Sequence, residues 1–169
     1  MKKRMIFRND DINVNTECNL FESLDALFKK YRVEHHIAII TNNIEQNAPL
    51  INYIRANKHI IPQVHCNIHH DFSTLILEEA YKDIYTASSK IFDLFGRAPT
   101  VWYPPYNKTN HEVNAIAESF GLKSRPDKIS LSQYIRKQGN VAEDTINFHY
   151  WNIPDIQLLE TALKIATVK

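Results

Sequence analysis

Short apolar runs alternate along the chain with apolar residues at helical spacing. Met5-Ile6-Phe7 reads as an opening strand, after which Leu20, Leu24, Leu27, Phe28 and Tyr31 recur with the period of a helix. His36-Ile37-Ala38-Ile39-Ile40 is largely β-branched and bounded by Thr41-Asn42-Asn43, as a buried strand would be. A helix through Leu50 and Ile54 leads to Ile60-Ile61-Pro62-Gln63-Val64. The longest helix is expected from Leu75 to Phe95, with Leu77, Tyr81, Ile84, Tyr85, Ser88, Ile91, Phe92 and Phe95 on its buried stripe and Gly96 as its stop. Thr100-Val101-Trp102-Tyr103 follows as a strand. Thr109, with Glu112 three residues on, has the form of a capping box and opens a helix that turns Val113, Ile116, Ala117 and Phe120 inward. Ile146-Asn147-Phe148-His149-Tyr150 is a late strand, and Asp155 to Ala166 a terminal amphipathic helix.

Strands that alternate with helices imply a largely parallel sheet joined by right-handed crossovers. A full eight-unit barrel takes about 250 residues, and this chain has 169. A trimmed or distorted (β/α) barrel of about six or seven mainly parallel strands fits better than an open doubly wound sheet. With 44% hydrophobic residues and no linker, repeat or low-complexity stretch, residues 1–169 read as one domain.

Composition removes several function classes. A formal charge of +1 gives no electrostatic reason to bind nucleic acid or an anionic membrane. No apolar stretch approaches the roughly 20 residues that span a bilayer. Charge follows Met5-Ile6-Phe7 at once, so no signal peptide is visible and the expected location is the cytoplasm. Cys18 and Cys66 make no disulfide scaffold.

Chemistry gathers where apolar runs end. Asp10-Asp11 follows the first run, and His65 and His69, spaced i, i+4, follow Val64. On one side of a helical turn or compact loop, the two imidazoles reach a single ion. One aspartate adds an oxygen ligand and the other stays free to accept a proton, the division of a catalytic metal site with an open position. Carboxyl ends of strands are where α/β folds place such sites. Cys66 at i+1 and His70 beside His69 point away from the shared face. His35, His36 and His59 read as strand-entry or surface residues, and Cys18 as a helix-packing residue. Later strand ends carry Tyr103-Pro104-Pro105-Tyr106, Asp127 and His149.

Taken in order, these segments resemble the polysaccharide deacetylase family, the NodB-homology carbohydrate esterases, over nearly the whole chain. The resemblance implies a NodB-like barrel and a hydrolase that removes an N- or O-linked acetyl group from a carbohydrate or sugar intermediate. It implies Asp11, His65 and His69 as ligands of a divalent metal, zinc by preference, and Asp10 as the base that takes a proton from metal-bound water. Such a base contributes roughly 10²–10⁴ in rate. The Tyr106 backbone N–H, behind the stiffening Pro105, becomes a second donor to the oxyanion. His149 becomes the acid that protonates the leaving group, with Asp127 to orient it or raise its pKa. Asp127 also reads as an ordinary turn residue in Arg125-Pro126-Asp127. Trp102, Tyr103, Pro105, Asn107 and Trp151 flank these segments as candidate substrate contacts, since aromatic faces suit sugar rings. Core packing is the competing reading for Trp102 and Trp151.

The chain departs from the family where Arg ordinarily precedes Pro-Tyr and holds the base. Here Tyr103 stands in that place and Asn107 replaces the following Gly. Arg8, two residues before Asp10 and so on the same side of a strand, or Arg125, from a neighbouring strand end, are the candidate substitutes. A catalytically degenerate, metal-dependent glycan-binding module on the same scaffold is the alternative reading. A ferrous oxygenase shares the 2-His-1-carboxylate donor set but sits on β-rich scaffolds. The sequence leaves the sugar and the oligomeric state open.

Overall fold

In the computed structural model, which describes residues 5–142 and 144–168, the apolar runs become parallel strands. These are Ile6–Ile12 (β1), His35–Ile40 (β2), Ile60–Cys66 (β3), Val101–Trp102 (β4), Lys123–Ser124 (β5), Ile129–Ser130 (β6) and Thr145–His149 (β7). They form one seven-stranded sheet in the order β5-β4-β3-β2-β1-β7-β6, with every neighbouring pair parallel. Helices Cys18–Tyr31 (α1), Ala48–Ala56 (α2), Leu77–Phe95 (α3), His111–Ser119 (α4), Leu131–Arg136 (α5) and Ile153–Thr167 (α6) complete it.

The connection between β5 and β6 dictates the shape. These are the two edge strands, yet only residues 125–128 separate them. At about 3.3–3.6 Å per residue, a link that short spans less than about 20 Å. The sheet therefore curls until its edges approach, giving a distorted (β/α) barrel that is not hydrogen-bonded shut between β5 and β6 among the described residues. None of the described helices is long and apolar enough to cross a membrane.

The central strands bury their apolar side chains under helices. Phe7 of β1 meets Phe28 of α1 and Tyr134 of α5 edge-on, and Phe148 of β7 stacks on Phe28. His35 is among the buried polar residues and departs from its reading as a strand-entry or surface residue. It is wholly buried, lies flat on Phe28 at 4.0 Å, and is 2.8 Å through Nδ1 from Asp25. His59 and Tyr53 also reach Asp25, so a carboxylate inside the helix layer has several partners. Burial pushes the His35 pKa down. Burial alone would raise Asp25, but its hydrogen bonds and the His35 charge outweigh that and hold it below the usual carboxylate range.

Two helix expectations change. On α3 the inward face is Ala80, Asp83, Ile84, Ala87, Ile91 and Phe95. Leu77, Tyr81, Tyr85 and Phe92 are about half exposed, so Phe92 is not a core residue. Two apolar stripes lie side by side on this helix, and the one carrying the small Ala80 and Ala87 is seated inward. Phe120 is half-buried and packs over Tyr81 and Tyr85. The cap of α4 is Asn110, which accepts the Val113 N–H at 2.9 Å, while Thr109 turns to Asn114. Asn is at least as good a cap as Thr and stands next to the first helical residue.

Candidate metal centre and active site

In a regular strand, Asp10 and Asp11 would point to opposite faces. Asp11 instead adopts φ 62°, and the β1–β2 register shifts between Asn9 and Ile12. Short polar residues tolerate the left-handed region, and the irregularity lets both carboxylates serve one site. β1 runs to Ile12, so the pair lies within a strand rather than beyond its end.

His65 and His69 approach Asp11 from β3 and the loop after it, not from a helical turn. The Nε2 atoms of His65 and His69 lie 3.2 and 3.4 Å from Asp11 Oδ1. Two ligands on a tetrahedral ion, each about 2.05 Å away, stand about 3.3 Å apart. The three donor atoms lie within 4.8 Å of one another, the one such cluster among the described residues. His65 Nδ1 is 2.6 Å from the Tyr103 carbonyl, so it carries the ring proton and leaves Nε2 a free lone pair. This donor set fits a divalent ion. Burial alone would raise the Asp11 pKa, but the His65, His69 and His149 rings around it outweigh that and hold it well below the usual carboxylate range. Cys66 is buried, and burial pushes its thiol well above its ordinary pKa, so no thiolate is offered here.

Asp83 of α3 holds the loop that carries His69. Its two oxygens accept the Asn67 and Ile68 N–H groups at 2.7 and 2.8 Å. A lone acidic residue on the apolar inward face of α3 was its sequence signal.

Asp10 is held by Arg8 and Asn147. Arg8, fully buried, donates from Nε to Asp10 Oδ1 at 2.7 Å and from Nη2 to Oδ2 at 2.6 Å. Asn147 Nδ2 donates to the same Oδ2 at 2.5 Å. Arg8 and Asn147 are register partners across β1 and β7, as are Asp10 and His149. Asn147 stands two residues before His149, the same spacing that singled out Arg8. The Arg125 side chain instead pairs with Asp144, and only its carbonyl accepts from Arg8, at 3.3 Å.

The Tyr103 segment lies differently from its expected place. Tyr103 is buried, with the Arg8 guanidinium 4.7 Å from its ring centroid, and is not a substrate contact. Asn107 Oδ1 accepts from Arg8 Nη2 at 2.6 Å, so it braces the arginine. Trp102 is buried against Phe72 and donates its indole N–H to the His65 carbonyl, which makes it a core residue. Pro105 is buried, while Tyr106, at φ 56°, is 60% exposed with its ring edge-on to His69.

His149 Nε2 lies 3.6 Å from Asp11 Oδ2. Its carboxylate neighbour is Asp155, 3.7 Å from Nδ1 and accepting the His149 backbone N–H at 3.1 Å. Asp127 is exposed on the link between the edge strands and does not fill that role. Asp155, in the first turn of α6, went unassigned because nothing in sequence says that this helix doubles back over β7. Trp151 is 54% exposed, with its ring 4.8 Å from that of His149.

The sequence of residues 2–124 matches the polysaccharide deacetylase family. The chain belongs to that family. The matched stretch holds the Asp pair and the His pair, while β6, β7 and His149 lie beyond it. No curated protein matches the chain. Solved structures share the fold at low identity. The CE4 family pseudoenzyme BA3943 of Bacillus anthracis superposes with a TM-score of 0.80 at 14% identity, over 98% of this chain and 62% of that one. A mutant of it with restored enzymatic activity gives 0.83 over the same shares. The chain thus spans less than two thirds of BA3943. The family 4 carbohydrate esterase of Streptomyces lividans gives 0.78 at 14% identity over 96% and 87%. The peptidoglycan deacetylase PdaC of Bacillus subtilis gives 0.76 at 15% over 98% and 84%. Within this polysaccharide deacetylase, the residue in the usual Arg place is the ring under Arg8.

Proposed function

We propose that this polysaccharide deacetylase hydrolyses an N- or O-linked acetyl group on a carbohydrate, with Asp11, His65 and His69 holding a divalent ion, zinc by preference. One observation carries the reading: a paired carboxylate, Asp10, stands beside the three-donor cluster, and His149 approaches that cluster from the adjacent strand. A divalent ion bound there supplies Lewis-acid chemistry, acidifying a water and polarising the acyl carbonyl. Asp10, fixed by Arg8, takes the proton of the attacking water. The new bond forms between that water's oxygen and the acyl carbon. Charge grows on the acyl oxygen, where the Tyr106 N–H donates. The bond to the sugar nitrogen or oxygen then breaks, His149 protonates the leaving atom, and acetate departs. Asp155 keeps the His149 ring in place. The exposed rings of Tyr106 and Trp151 flank the cluster as platforms for a sugar face.

The alternative, a metal-dependent glycan-binding module, draws on the missing arginine at Tyr103. Against it, Asp10 has a buried arginine partner from another strand position. The test is acetate release from N-acetylated and O-acetylated sugars by the zinc-loaded protein, beside Asp10→Asn. Hydrolysis lost with zinc retained supports the assignment. Loss of zinc with activity makes Asp10 a ligand instead, and metal-dependent sugar affinity without any acetate release selects the binding module.

A further inference from the structure

We infer that Lys128 and Asn147 are positioning residues for Asp10, leaving one of its oxygens, Oδ1, open to accept a proton. The inference rests on the proposed hydrolysis and adds two residues and an atom to it.

A carboxylate has about four lone-pair sites, two on each oxygen. Asp10 Oδ2 has two donors, Arg8 Nη2 at 2.6 Å and Asn147 Nδ2 at 2.5 Å. Among the described residues Oδ1 has one donor, Arg8 Nε at 2.7 Å. The remaining site is therefore on Oδ1, and the water that loses its proton must approach that oxygen.

Saturation of Oδ2 depends on which way the Asn147 amide faces. Its oxygen lies 3.3 Å from Lys128 Nζ. An ammonium only donates and a carboxylate only accepts, so both neighbours demand the same orientation. A flipped amide would set its NH₂ against the ammonium and its carbonyl against Asp10. Lys128 reaches in from the 125–128 link, and the Arg125 carbonyl of the same link braces Arg8 Nη1. The short segment that brings the barrel edges together thus touches both donors of Asp10, Arg8 from one end and Asn147 from the other. Lys128 stays exposed along its length, while desolvation of its amine end and the Arg8 charge push that amine below its ordinary range.

The test uses uniformly ¹⁵N-labelled protein and the side-chain amide signals of asparagine. Asn147→Leu assigns the Asn147 pair by its disappearance. In the unmodified protein, one Asn147 amide proton is expected to exchange slowly with solvent. Lys128→Met is expected to speed that exchange about tenfold, and Lys128→Arg to restore it. With an acetylated substrate, Lys128→Met should lower kcat about tenfold at unchanged KM and zinc content, again with rescue by Lys128→Arg. An Asn147 signal unchanged in Lys128→Met overturns the inference, as does a changed signal with unchanged kcat. If the unmodified protein releases no acetate, the proposed hydrolysis fails by itself, and the amide signals still decide whether Lys128 orients Asn147.

Discussion

Arg8 and Asp10 stand two residues apart on β1 and are joined by two hydrogen bonds of 2.7 and 2.6 Å. This is the bidentate geometry that a guanidinium makes with a carboxylate and an ammonium does not. Both side chains are buried, so each needs the other. Arg8→Met is expected to cost about 3–5 kcal/mol of stability, because it leaves Asp10 buried and unpaired. Arg8→Lys keeps the charge but loses the fork, and should fold while losing about a hundredfold in kcat. Denaturant midpoints and acetate-release kinetics on the pair check both, and a fully active Arg8→Lys would remove Arg8 from base positioning.

Asp83 holds the backbone turn of the candidate metal site. Its two oxygens each take one N–H of the Asn67–Ile68 turn, and Asn has only one oxygen to offer. Asp83→Asn should therefore loosen His69 and weaken zinc binding by about 10–100-fold. Competition against a chromogenic chelator measures this. Burial raises the Asp83 pKa despite those N–H groups, so the protein already bears a cost for the charge. Equal zinc affinity in the variant would show that the turn holds its shape without Asp83.

How much of this could be read in advance depended on which rule each residue obeyed. Period two along a strand ties Arg8 to Asp10, and the same rule applied to His149 reaches Asn147. Trp102 and Tyr103 look substrate-facing because they precede Pro104-Pro105-Tyr106. However, β4 lies between β3 and β5 under a helix layer, and both side chains are enclosed. Strands β5 and β6 have two residues each, too few for any period to show. On α3 the pattern was real but doubled, and only packing decided which stripe turned inward. Only Asp127 stood out in sequence as a partner for His149, and Asp155 comes beside that ring because α6 follows β7 after a short turn.

Acid should loosen the helix layer before it reaches the carboxylate range. The folded-state pKa of His35 lies below its ordinary value, chiefly through burial, so the folded protein holds that ring neutral. The unfolded chain takes up the proton from about pH 6.5 downward. Stability from His35 is therefore complete above that pH and falls as pH drops toward the folded pKa. Asp25 acts in the same direction at lower pH. Its folded pKa is depressed, so its contribution is present above about pH 3.9 and lost as pH falls through the folded value. Unfolding midpoints at pH 8, 6 and 5 should decline for the unmodified protein. His35→Asn should be less stable at pH 8 but show a flatter decline, and an equal slope in the two would place the acid sensitivity elsewhere.

The arginine that the family carries ahead of Pro-Tyr and the arginine at position 8 serve one carboxylate, so they are expected to exclude each other. Tyr103→Arg would put a second guanidinium beside Arg8, whose own is 4.7 Å from the ring being replaced. With a single Asp10 to share, one cation would be buried unpaired. That variant should lose about 3 kcal/mol or more and gain no activity. Arg8→Leu with Tyr103→Arg removes the conflict and offers Asp10 an arginine from the other side. The double variant should be more stable and more active than the sum of its single changes, since residues that share a partner couple by about 0.5–3 kcal/mol. Unfolding midpoints and kcat for the four proteins of this cycle measure that coupling. Strict additivity would mean that Tyr103 is a packing residue only, and that Arg8 does not occupy the family arginine's place.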